Sequence, residues 1–347
     1  MNPSSPVTFV SHTNKPGGGE LALRRYLEAT GLPVRLVTME SGGVWQGLDQ
    51  AVVHAPDMRR LRAAIREGGL VVANSMRAAA LLSATAAPRR TRLVYWVRDG
   101  LTDSAMSAAA LLLTRTVTAH RVTHYLANSA WTASTVREAL HVSSEDVDVV
   151  YSMSGVGAGS LARPPRRVPE SPLRLLFLGR ISPWKAPDVA VQALRALRHL
   201  DIEATLTIAG AAHFGEDRYA RHLEHLVAQE PDATLVGHVD DVSRLLATHD
   251  VLVHCSTVPE PFGQVIVQAL GAGCPVVVTN HGGPREIVQP GCGAFVPPRD
   301  PVAVAEAVQS LLTDYRRHSA AALHRAADFT DEVACASTDD VLERLLA

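Results

Sequence analysis

The chain has 347 residues, 33 Lys+Arg against 35 Asp+Glu, and a formal net charge of −2. That length exceeds what one ordinary core accommodates, so two domains are expected. An apolar share of 47% excludes a disordered chain, and the near-zero charge argues against nucleic acid as the main partner, because phosphate binding calls for a basic excess.

In chain order, Val7-Thr8-Phe9-Val10 reads as a strand, followed by a Gly-rich turn and a helix over about 20–29. Short apolar runs at 34–37, 51–54, 70–73 and 92–97 are the next strands, and 123–128 and 147–151 add two more. Strands of this kind joined by helical crossovers form a parallel sheet covered on both faces, a Rossmann-like domain over 1–160. Residues 161–172 are rich in Pro and Arg without apolar periodicity and read as a linker. The pattern restarts with a strand at 173–178, a helix at 187–199, a strand at 204–209 and a helix at 216–229. Strands at 233–236, 251–254 and 275–278 complete a second doubly wound domain over 173–330. The chain is helical from Pro301, and a Thr330-Asp331 cap opens a last helix, about 331–347, counted with the first domain.

Cys255, Cys274, Cys292 and Cys335 show no CxxC spacing, so buried free thiols are expected rather than a zinc ribbon or redox pair. Residues 1–5 lack the features of a secretory signal, and apolar runs such as 105–113 fall short of the roughly 20 residues that span a bilayer. A cytoplasmic protein with at most peripheral membrane contact is the expectation. Lys15 and Lys185 are the only lysines in an Arg-rich chain.

Four loops at strand carboxyl ends carry unusual chemistry. Lys15-Pro16-Gly17-Gly18-Gly19-Glu20 precedes a helix, where glycines admit close backbone approach and helix amides suit a phosphate; the same loop also serves as a plain tight turn. Its spacing is not GxGxxG, so no NAD-type fingerprint is read. Gly179-Arg180-Ile181-Ser182-Pro183-Trp184-Lys185 puts a guanidinium and an ammonium on one loop, a pair suited to a diphosphate. In Pro259-Glu260-Pro261-Phe262-Gly263, a carboxylate precedes a short helix with Gln264 and Gln268 on one face and Val265, Ile266, Ala269 and Leu270 directed inward. Asn280-His281-Gly282-Gly283-Pro284-Arg285-Glu286 reads as a ligand loop or as a connection only.

Three of these blocks resemble the retaining GT-B glycosyltransferases of glycosyltransferase family 4. They are Gly179-Arg180 with Lys185, Glu260-Pro261-Phe262-Gly263 with Gly273-Cys274-Pro275, and Gly282-Gly283-Pro284-Arg285-Glu286. The first half resembles the family more loosely, through Gly17-Gly18-Gly19-Glu20 and Leu126-Ala127-Asn128-Ser129. The resemblance implies two Rossmann-like domains facing across a cleft and a nucleotide-sugar donor held mainly by the second. It implies Arg180 and Lys185 on the diphosphate, Glu260 on the donor sugar, and support from Gly17, Gly18, Gly19, Phe262, Gly263, Gln264 and Gln268. Catalysis would rest on Glu260, Arg180 and Lys185, with no cofactor and no essential metal.

Two positions depart from the family pattern. Gln268 stands where the family has a second glutamate, exchanging a charge-assisted ribose contact for a neutral one, a difference of roughly 1–2 kcal/mol. Arg98-Asp99 stands where His-Asp is frequent; Arg98, Asp99 and His12 are candidates for contact with acceptor or donor sugar. The implied activity is retaining transfer to a hydroxyl of a small soluble natural product, as in antibiotic biosynthesis, or of a saccharide. A UDP-sugar epimerase and a non-catalytic nucleotide-sugar-binding subunit are the alternatives.

Overall fold

The computed structural model describes residues 6–66, 68–85, 91–212 and 215–347. The chain divides into two compact units, one of residues 1–155 with 330–347 and one of residues 156–329.

The first unit is built on β1 (Val7–Ser11), β2 (Val34–Thr38), β3 (Ala51–His54), β4 (Gly69–Ala73), β5 (Thr91–Val97), β6 (Val122–Ala127) and β7 (Val147–Val149). All pairings are parallel, in the order β3-β2-β1-β4-β5-β6-β7. The inner strands bury both faces, which explains their unbroken apolar runs: Val10, Val71, Tyr95 and Val97 point into one core, Phe9, Val72, Val94 and Trp96 into the other. The edge strand β3 is exposed along its length.

The final helix, Asp331–Leu346, returns to this unit as expected. Thr330 caps it by accepting from Val333 N, and Asp339 accepts from Tyr26 Oη at 2.6 Å and Thr30 Oγ1 at 2.7 Å. Asp331 accepts from the Ser154 and Gly155 amides at 2.8 and 3.0 Å, fixing the segment that leaves the unit.

The second unit carries β8 (Leu173–Leu178), β9 (Ala204–Ala209), β10 (Ala233–Gly237), β11 (Val251–His254), β12 (Val276–Thr279) and β13 (Gly293–Val296). Their order is β10-β9-β8-β11-β12-β13, again all parallel. β13 escapes a reading by composition because it is short and opens on glycine. Gly293 is needed where β13 meets β12, since a Cβ there would lie 2.5 Å from the Val276 carbonyl oxygen.

The 161–172 stretch belongs to this unit rather than standing between domains. Arg166 explains why: its amide donates to Ser319 Oγ and its guanidinium to the carbonyls of Ala272, His249 and Leu246. Polar side chains, not apolar period, hold this segment. Cys255, Cys274, Cys292 and Cys335 are free and buried, as expected. Among the described residues, no helix is long and apolar enough to cross a membrane.

Candidate active site

In each sheet the strand order reverses once, between β1 and β4 and between β8 and β11. Loops leaving the carboxyl ends on either side of such a reversal diverge and leave a crevice, the usual ligand position in open α/β sheets.

In the second unit the two loops at that point are 179–186 and 255–263, and they bring together the residues that the sequence singles out. Lys185 Nζ is ion-paired with Glu260 Oε2, the side chains being only 13% and 14% exposed. Ser256 Oγ donates to the same oxygen at 3.2 Å, and His254 Nε2 stands 3.4 Å from it. All three contacts fall on Oε2; among the described residues Oε1 has no hydrogen-bond partner. Burial pushes the Glu260 carboxyl up, but the charge of Lys185 and the contact with His254 outweigh it and hold the group well below the carboxylate range. Burial lowers the His254 imidazole, Glu260 opposing and Lys185 adding to that effect.

Trp184 organises the cations. Lys185 Nζ lies 4.4 Å and the Arg180 guanidinium carbon 5.5 Å from its ring centroid. The Trp184 carbonyl accepts from Thr257 N at 2.6 Å, which ties the two loops together. Ala186, in the left-handed region at φ 50, turns the chain into the helix Pro187–His199 immediately after Lys185.

The 280–286 loop is more than a connection. Gly282 pairs with Glu260 as an isolated bridge, and Gly283 N donates to the Glu260 carbonyl at 2.8 Å. A Cβ on Gly282 would lie 2.4 Å from that carbonyl oxygen, and one on Gly283 2.6 Å from the Pro261 oxygen. His281 Nε2 and Thr279 Oγ1 both engage the Ser256 carbonyl at 2.8 Å. The glycines therefore exist to let one loop lie against the backbone of the other.

Gly263, at φ 114, caps the helix Gln264–Gly271 without a side-chain cap hydrogen bond, so the positive end of this helix follows directly on the Glu260 loop. Gln264 and Gln268 are half-buried on one face. Val267 is buried where Val265 was expected, since Val265 is only partly covered; the helix is rotated by a fraction of a turn from the assumed face. Phe262 is buried against Phe329, with ring centroids 6.1 Å apart, and anchors the turn from below. Asp241, beside Asp240, caps the helix Val242–Thr248 by accepting from Arg244 N, which gives that acidic pair a structural use.

The remaining candidates lie in the first unit. Gly17 caps the helix Gly18–Ala29, which starts two residues before the expected position. A Cβ on Gly17 would lie 2.6 Å from Glu20 Oε2, so the carboxylate of Glu20 folds back over the helix N-terminus that was read as a phosphate seat. Burial raises the Glu20 carboxyl. Arg98 donates to Asn74 Oδ1 at 3.1 Å and to Ser152 Oγ at 3.0 Å, and stacks 3.8 Å over Trp96. It ties together the segments that follow β4, β5 and β7, and a Cβ on Gly19 would lie 3.4 Å from its Cγ. Asp99 beside it is exposed. His12 Nδ1 lies 2.8 Å from Ser75 Oγ across the β1–β4 reversal. Lys15 is exposed, unlike Lys185.

His254, Ser256 and Trp184 were not singled out from sequence. A trace was present: His254 is the one polar residue of Val-Leu-Val-His, at the carboxyl end of a fully buried strand.

Residues 172–314 match the family model described as glycosyl transferases group 1. The glycogen synthase of Mycobacterium tuberculosis is 33% identical over 201 residues, 56% of this chain and 48% of that protein. The D-inositol 3-phosphate glycosyltransferase of Xylanimonas cellulosilytica is 39% identical over 180 residues, 49% of this chain and 42% of that protein. The chain thus spans about half the length of these relatives. In fold it resembles Anabaena HepE, solved with UDP-glucose, at TM-score 0.83 and 22% identity, covering 98% and 99% of the two chains. It also resembles the sucrose-phosphate synthase of Thermosynechococcus elongatus, at TM-score 0.75 and 17% identity, covering 98% and 99%. The Arg180, Lys185 and Glu260 loops thus lie inside the segment that matches the group 1 glycosyltransferase model, and the chain has the two parallel Rossmann-like sheets of the GT-B fold.

Proposed function

We propose that the protein is a retaining glycosyltransferase of family 4 that moves a sugar from a nucleoside-diphosphate sugar to an acceptor hydroxyl. The observation that carries this is the Lys185–Glu260 pair at the β8–β11 reversal, with Arg180 on the same loop as Lys185 and the helix start at Gly263 directly after the Glu260 loop. Arg180, Lys185 and that helix end supply positive charge to a diphosphate leaving group, charge that grows in importance as the glycosidic bond breaks. Glu260 Oε1 accepts from a donor-sugar hydroxyl while Oε2 stays anchored. With cations in this role the reaction needs no essential metal and no cofactor. Retention follows from attack on the face that the diphosphate leaves, guided by the leaving group itself rather than by an enzyme nucleophile.

HepE holds UDP and UDP-glucose in its solved structures, which favours a uridine nucleotide here. Relatives named for glycogen and for D-inositol 3-phosphate make a hydroxyl-rich saccharide or small natural product the natural acceptor class. Gln268, in place of a carboxylate, relaxes the demand for a ribose 2′-hydroxyl.

Titration calorimetry with UDP, GDP, ADP and dTDP in EDTA tests the donor site. Selective micromolar binding of one nucleotide supports the reading, and equal binding of UDP and dTDP supports the role given to Gln268. Silence from all four defeats it. Product anomeric configuration by NMR, from the matching nucleotide sugar and a panel of acceptors, decides retention; an inverted product would remove that part of the proposal.

A further inference from the structure

Glu260 is a buried carboxylate whose one full counter-charge among the described residues is Lys185, and the proposed function, on which this inference rests, gives Lys185 a second anion to serve. A diphosphate arriving beside Arg180 competes for the same ammonium. Once Lys185 is shared with it, Glu260 keeps a negative charge in a site where water no longer compensates, and the bound diphosphate adds more negative charge nearby. The group placed to answer is His254, whose Nε2 already stands 3.4 Å from Glu260 Oε2 and 3.3 Å from Ser256 Oγ.

We propose that His254 is the positioning residue for Glu260 and that it takes up a proton from solvent when the donor diphosphate binds, replacing Lys185 as the counter-charge of that carboxylate. The balance is simple: one proton passes from the buffer acid to the unprotonated ring nitrogen, forming one N–H bond as the acid loses its own bond to that hydrogen, no proton leaves the enzyme, and the imidazolium donates Nε2–H to Oε2.

The surroundings of the imidazole are well defined. The charged groups acting on it are Lys185, from the loop after β8, and Glu260, from its own loop. The loop after β12 brings His281, turned onto the Ser256 carbonyl. The helix Gln264–Gly271, packed against β11, brings only the neutral Gln264 and Gln268. In the ligand-free protein the imidazole is neutral, because burial disfavours its charge and Lys185 repels it, against the pull of Glu260. An added anion and a diverted ammonium change both electrostatic effects in the same direction.

The measurement is calorimetry of the full chain with UDP, and with GDP should that be the nucleotide bound, at pH 7.5 in buffers of different ionisation enthalpy. The observed heat is expected to vary with buffer in the sense of uptake, amounting to roughly one proton or a large fraction of one. Affinity should correspondingly fall as pH rises from about 6.5 to 8.5, because uptake is favoured by acid. In H254Q, the nucleotide should still bind while the buffer dependence disappears; a purely structural histidine would not move that quantity. The wild-type measurement stands alone if H254Q does not fold. Binding without buffer dependence overturns the inference and leaves the glycosyltransferase reading intact. Absence of nucleotide binding overturns both.

Discussion

Lys185 and Glu260 lie 75 residues apart in the chain and meet because β8 and β11 are neighbours in the sheet. K185M leaves a buried carboxylate with only the Ser256 hydroxyl and a neutral imidazole beside it, and removing one member of such a pair costs about 3–5 kcal/mol. The fall in thermal midpoint should therefore be larger for K185M than for the K185M/E260Q double variant, and a chemical-denaturation cycle measures the coupling. Nucleotide affinity should fall in both variants, since the ammonium is gone from each. The pH dependence has a definite sign. Glu260 is held ionised, so its share of stability is complete above the ordinary carboxyl value of 4.5 and drains away as pH falls below it. Thermal midpoints recorded between pH 6 and 3 should decline less steeply in E260Q than in the wild type. Parallel profiles would mean that the pair is electrostatically idle.

At the scale of elements, Gly282 and Gly283 set the height of the Glu260 loop through close backbone approach. G283A keeps an accessible backbone conformation, yet its Cβ must displace Pro261 and Phe262, the kind of overpacking that costs about 1–3 kcal/mol. We expect G283A to lose transfer activity far out of proportion to its stability, with nucleotide binding weakened less than turnover. Wild-type turnover in G283A would show that the two loops are not coupled. In the first unit, Glu20 lies over the helix start at Gly17 and Gly18. E20Q should leave nucleotide affinity in the second unit unchanged if that helix end is occupied by its own chain; a marked gain in affinity would instead make the glycine loop a phosphate seat blocked by a carboxylate.

For the whole molecule, two polar anchors fix where the chain changes units. Asp331 holds the amides of Ser154 and Gly155, and Arg166 seats the Pro- and Arg-rich segment on three carbonyls and Ser319. R166A takes the guanidinium from the Ala272 and His249 carbonyls, while the Leu246 carbonyl keeps the His249 amide, a loss of roughly 2–3 kcal/mol. Differential scanning calorimetry should show the transition of the second unit lowered in R166A and that of the first unit lowered in D331A. A uniform shift of one transition in both variants would mean that the units melt together.

Most strands and the long crossover helices are legible in the sequence, because a strand buried on both faces must be an apolar run and a crossover helix must be amphipathic. Among the features that escape, β13 and the seat of residues 161–172 depend on a glycine that lets two backbones approach and on an arginine that finds carbonyls from elsewhere in the chain. The same division holds at the site. Arg180, Lys185 and Glu260 stand out in the sequence because charges at strand ends beside glycine turns serve no core. That Lys185 and Glu260 neutralise each other, that His254 and Ser256 hold the same oxygen, that Gly282 and Gly283 support the loop, and that Arg98 is a tie rather than an open cation are decided only in three dimensions. The physical reason is one of range. Burial pattern and turn chemistry are written in neighbouring residues, whereas a charge acquires its partner and its ionisation state from groups that the sheet order, and nothing local, brings within a few ångströms of it.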